Sequence, residues 1–65
     1  MFLNIEAERS RNRMTKTELS NKLGISLNTY NAYINGRAIP SGILAEMADM
    51  FDCSIDYLLG RTQNR

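Results

Sequence analysis

The chain has 65 residues, with eight Lys+Arg against seven Asp+Glu, no His and one Cys, for a net charge of +1. That length holds one domain at most. One Cys without any His excludes an internal disulfide, a zinc finger and Ser–His or Cys–His catalysis. A charge so near zero speaks at first sight against a nucleic-acid partner, because DNA binders carry a basic excess.

Val is absent and no period-two alternation is sustained, so strands are not expected. Helix punctuation is dense, and the fold class expected is all-α, a compact bundle of five short helices. The first is expected over 2–12, with Phe2, Ile5 and the stem of Arg9 facing inward, and Met14 packs from the connection. Thr15 followed by Glu18 spells a capping box. It starts a second helix over 16–23, whose Leu19 and Leu23 share the inner face at i, i+4. Gly24 stops that helix, where a residue with positive φ is wanted, and Ile25 plugs the turn.

Ser26 caps a third helix over 27–35, with Tyr30, Tyr33 and Ile34 on its inner side and Asn35-Gly36 at its end. After the Arg37–Pro40 loop, Ser41 is the expected cap of a fourth helix over 42–52. Ile43, Leu44, Met47, Ala48 and Phe51 give that helix a wide apolar stripe. Ser54 caps a fifth helix over 55–59, with Ile55, Leu58 and Leu59 inward, and Gly60 ends it. Residues 1–60 are thus the expected domain, and 61–65 a polar tail expected to fray.

No segment resembles a signal peptide or approaches the ~18 apolar residues of a membrane span. Cys53 is expected to act as a buried hydrophobe, and a lone Cys fits a reducing cytoplasm. Beginning at Met1, the chain is expected to be a whole small protein.

The informative stretch is Thr15 to Gly36, which reads as capped helix, glycine turn, capped helix. Two helices joined by a three- to four-residue turn containing Gly make the helix-turn-helix pattern. Gly24 lets the chain reverse within three residues, and Ser20 is small enough for the helices to approach closely. The run from Thr15 to Ser26, with Asn35-Gly36, Pro40-Ser41 and Ala48 to Gly60, resembles the Cro/phage-repressor-type (lambda-repressor-like, XRE) helix-turn-helix family. Asn4 to Arg9 is also similar to that family's first helix, so the resemblance covers residues 4–60.

The resemblance implies that the third helix reads base edges in the major groove. It implies base contacts for Leu27, Asn28, Asn31 and Ala32, and phosphate contacts for Lys16, Thr29, Asn35 and Arg37. The chemistry agrees, because Asn bonds adenine through N6 and N7, while Leu27 and Ala32 suit a thymine methyl. An A·T-containing half-site is therefore expected. Ile34 stands where some members carry an acid that pairs with the Arg at position 9. Arg9 is left to meet Glu18 or a phosphate.

The function implied is a sequence-specific transcriptional regulator, a repressor, in the cytoplasm and without enzymatic activity. The partners expected are a double-stranded DNA operator with palindromic half-sites and a second copy of the chain. Tyr57, Leu58, Leu59, Met50 and Ile34 are the candidate dimer contacts. No cofactor, metal, membrane or small-molecule ligand is expected. The alternative is a protein-interaction module on the same scaffold, antitoxin-like or an adaptor.

The charge is also less neutral than it looks. Residues 1–37 hold six cations (Arg9, Arg11, Arg13, Lys16, Lys22, Arg37) against three acids, whereas residues 38–65 hold two against four. The basic excess lies in the helix-turn-helix half, and such a dipole orients a protein toward phosphate.

Overall fold

The computed structural model describes residues 4–65, and Phe2, expected in the core, lies outside them. The described residues form five helices and no strand: α1 (Ile5–Arg11), α2 (Lys16–Leu23), α3 (Leu27–Ile34), α4 (Ser41–Phe51) and α5 (Ile55–Leu58). The all-α class expected from the sequence is what the chain adopts.

The helix ends follow local chemistry. At α2 both halves of the capping box are made: Glu18 N donates to Thr15 Oγ1 at 3.0 Å, and Thr15 N donates to Glu18 Oε1 at 2.9 Å. Gly24 takes the left-handed conformation, φ +71°, and Ile25 N then reaches back to the Ser20 carbonyl at 3.0 Å. Ser26 and Ser54 cap α3 and α5 by accepting from Thr29 N and Tyr57 N. The fourth helix departs from expectation. Ser41 is its first helical residue, and Pro40 is the flanking one, with ψ 143° and no side-chain cap. Pro40 has no N–H to place, and its carbonyl accepts the first helical bond, from Leu44 N at 3.1 Å.

One core joins all five helices: Ile5, Leu19, Leu23, Tyr30, Leu44, Met47, Phe51 and Leu58. Met14, Ile25, Ile34, Ile43, Ala48, Cys53 and Leu59 are half-buried against it. Two apolar expectations are corrected. Ile55, expected inward, is 37% exposed, because it opens a four-residue helix whose buried residue is Leu58. Leu58, expected both inward and at a dimer contact, has no exposed surface: it belongs to the core and is withdrawn as a dimer contact.

The tail folds back on the helices. Arg65 returns to the body, where its carbonyl accepts from Ser54 N at 3.0 Å. Its guanidinium donates to Glu8 Oε1 and to the Phe51 carbonyl, both at 2.8 Å. Glu8 is itself 1% exposed and also accepts from the Tyr57 hydroxyl at 3.0 Å. A buried carboxylate needs such partners, and the C-terminal end of the chain supplies them.

Candidate nucleic-acid interface

The α2–turn–α3 unit presents one side of α3 outward. Tyr30 and Tyr33 are buried, as expected, and pin the inner side. On the outer side Leu27 is 40% exposed and Asn28 is exposed, whereas Asn31, Ala32 and Thr29 are half-buried. Asn28 and Leu27 therefore stand furthest out, at the N-terminal end of the helix. The Thr29 hydroxyl accepts from Ser26 Oγ at 2.9 Å, which leaves its own O–H free to donate.

Lys16, Asn35 and Arg37 are exposed as well. Lys16 opens α2, directly after the capping box. Asn35 ends α3, and Gly36 beyond it has φ +114°, turning the chain away. The Arg37 guanidinium lies 5.9 Å from the Tyr33 ring centroid, a cation–π distance that restrains it beside the helix.

Behind the face lies a network centred on Glu6, which the sequence reading did not identify. Arg9 Nε donates to Glu6 Oε2 at 2.7 Å, and Arg9 Nη2 approaches Oε1 at 3.3 Å. The Tyr30 hydroxyl donates to the same Oε2, and Lys16 Nζ lies 3.8 Å from Oε1. Arg9 also donates to the Met14 carbonyl. Arg9 thus pairs with neither Glu18 nor an acid at position 34. Glu6, three residues earlier on α1, takes the place of both. The one signal available was that i, i+3 spacing. Burial pushes the Glu6 carboxyl up, but hydrogen bonds from Arg9 and Tyr30 outweigh it and hold the group below the usual carboxylate range. Burial, and then the bond to Glu6, push the Tyr30 hydroxyl well above its ordinary value.

A groove runs from the end of α3 to α5, walled by Tyr33, Ile34, Ile39 and Leu59, with Asn35 and Arg37 on its rim. Among the described residues no group of three or more His, Cys, Asp or Glu is placed to hold a metal ion. No helix among them is long and apolar enough to cross a membrane.

A helix-turn-helix family model matches residues 5–58. No match is found among curated proteins or solved structures. The matched stretch takes in every helix described above and the face of α3 with them. The chain belongs to the Cro/phage-repressor-type (XRE) helix-turn-helix family of DNA-binding domains.

Proposed function

We propose that this DNA-binding domain is a sequence-specific transcriptional repressor that binds palindromic operators as a homodimer in the cytoplasm. The observation that carries the reading is the two-sidedness of α3, with Tyr30 and Tyr33 locked inward while Leu27 and Asn28 project. In the major groove, Asn28 and Asn31 bond adenine edges, and Leu27 and Ala32 meet thymine methyls. Lys16, Thr29, Asn35 and Arg37 hold phosphates on either side and fix the register.

Two quantities support the homodimer. The fold measures 28 Å along its longest axis, less than the ~34 Å between half-site centres, so one copy reaches one half-site. A single module also buries only about 600–1,000 Å² of its surface on DNA, which limits its affinity. Ile34 and Leu59, half-buried in the groove beside α3, are the proposed contacts between copies, and half-buried Tyr57 and Met50 are further candidates. Repression asks only for occupancy of the operator, which a domain of this size supplies. A free thiol at Cys53 suits the reducing cytoplasm.

Selection of bound sequences from random duplex DNA tests the proposal, with affinity for the selected site then followed against salt. An enriched palindrome rich in A·T steps, bound more weakly as salt rises, is expected. Recovery of no preferred sequence, or an affinity indifferent to salt, overturns it.

A further inference from the structure

We propose that Glu6 is an internal stand-in for DNA phosphate: it holds the Lys16 ammonium in the free protein and gives it up when duplex DNA binds. The inference rests on the reading of Lys16 as a phosphate contact. The two oxygens of Glu6 have different tasks. Oε2 takes the close donors, Arg9 Nε at 2.7 Å and the Tyr30 hydroxyl. Oε1 faces Lys16 Nζ at 3.8 Å, with Arg9 Nη2 at 3.3 Å beside it. Departure of Lys16 therefore leaves Glu6 satisfied by Arg9 and Tyr30 and orphans no charge.

The pair is also built to exchange. At 3.8 Å it is longer than a hydrogen bond, and the Lys16 and Glu6 side chains are 45% and 35% exposed. A phosphate oxygen that meets the ammonium at about 2.8 Å makes the stronger contact. Arg37 differs, since it rests on the Tyr33 ring rather than against this carboxylate. Glu6 thus tempers affinity through one cation of the interface and not through the other, while the same carboxylate keeps α3 tied to α1.

The test measures binding of the full chain to mixed-sequence duplex DNA at low salt, where phosphate contacts dominate. Wild type, Glu6→Gln, Lys16→Ala and Arg37→Ala are compared, with both double variants that contain Glu6→Gln. Glu6→Gln should bind about two- to fivefold tighter, the range an exposed ion pair can withhold. That gain should persist with Arg37→Ala and vanish with Lys16→Ala. An equal gain in the Lys16→Ala background overturns the proposal, because Glu6 then acts only as a general negative charge. A loss of affinity on Glu6→Gln also overturns it and assigns Glu6 to helix positioning alone. If Lys16→Ala binds as well as wild type, the phosphate reading of Lys16 fails first and takes the inference with it. Circular-dichroism melting checks that each variant is folded, and Gln at position 6 can still accept from Tyr30. A readout without substitution is the carbon NMR signal of the Glu6 carboxylate in the wild-type chain. It should move when DNA is added, and a signal that stays still while α3 amides shift overturns the exchange.

Discussion

The Tyr30 hydroxyl donates to the Glu6 carboxylate, 24 residues away in sequence, and so ties α3, the second helix of the helix-turn-helix, to α1. The bond makes stability depend on pH in both directions. The Glu6 carboxyl is held below its ordinary value of 4.5 when folded. As pH falls through and below that value, the unfolded chain takes up a proton that the folded chain refuses, so stability is lost. Glu18, lowered by the Thr15 backbone N–H and then by its hydroxyl, adds to the same acid limb. Tyr30 acts at the other end. Its hydroxyl, raised by burial and by Glu6, keeps its proton when folded, whereas the unfolded phenol ionises near 10.0. Stability is therefore complete below that value and falls above it. The melting temperature should be flat between about pH 6 and pH 8 and decline on both sides, the alkaline side beginning with the Cys53 thiol, raised by burial from its ordinary 9.0. Tyr30→Phe should cost about 1–2 kcal/mol at neutral pH and shallow the alkaline decline, leaving the shares of Tyr57, which burial and Glu8 also raise, and of the Cys53 thiol, which burial raises. An alkaline limb unchanged in Tyr30→Phe would show that this bond is not the source.

Gly24 permits a clean separation of backbone strain from steric clash. Its φ is +71°, and a Cβ built there meets nothing within 4 Å. Gly24→Ala should then lose only the backbone preference, about 1 kcal/mol, and Gly24→Asn less, because Asn tolerates the left-handed region. Urea unfolding measures both. The folded variants should bind DNA like wild type, since the turn supplies no proposed contact. A loss well beyond about 3 kcal/mol would mean that the turn is packed more tightly than the structure has it.

What was legible in the sequence was local. The ends of α2 fell on Thr15 and Gly24 because a capping box and a left-handed glycine act within four residues, without help from the rest of the chain. Tyr30 and Tyr33 were legible as inward residues because helical period places them beside the core. The polar networks were not legible for the opposite reason. Glu6 meets Tyr30 across 24 residues and Glu8 meets Arg65 across 57, and no periodicity encodes a pairing at that range. Leu58 carried two readings, core and dimer contact, for a related reason. An apolar residue near the end of a chain reads equally as core or interface until the packing of α1 over α5 is known, and here Asn4 N bonds the Leu58 carbonyl and closes that end. The exposed face of α3 was legible as a face, but which of its residues reach bases depends on DNA.

Arg65 tests whether the returning tail contributes to stability. Its guanidinium is shared between the buried Glu8 carboxylate and the Phe51 carbonyl. Arg65→Ala leaves Glu8 with the Tyr57 hydroxyl and with Arg11 at 3.6 Å. The Arg65 side chain is 37% exposed, so solvent screens part of its interaction and the loss should be about 1–2 kcal/mol. Glu8→Ala should cost more, since it opens space in the core and strips partners from Tyr57 and Arg65 together. The double variant should lose less than the sum of the two single losses, a coupling that urea unfolding resolves. A frayed tail predicts instead that Arg65→Ala is neutral and that the two losses add.

Asn28 and Arg37 separate reading from holding. Asn28 projects from the first turn of α3, where its amide can bond adenine through two atoms, a contact that discriminates by about 1–3 kcal/mol. Asn28→Ala should therefore flatten the A·T preference at one base pair in each half-site and leave the other positions as selective as before. Arg37, 5.9 Å from the Tyr33 ring at the far end of the helix, is the proposed phosphate contact. Arg37→Ala should weaken every sequence alike and reduce the slope of log affinity against log salt by about 1 per subunit. Binding of a panel of single-base operator variants at two salt concentrations gives both quantities at once. If Arg37→Ala changed the sequence preference and Asn28→Ala only the salt slope, α3 would lie in the groove in another orientation, with its C-terminal end against the bases.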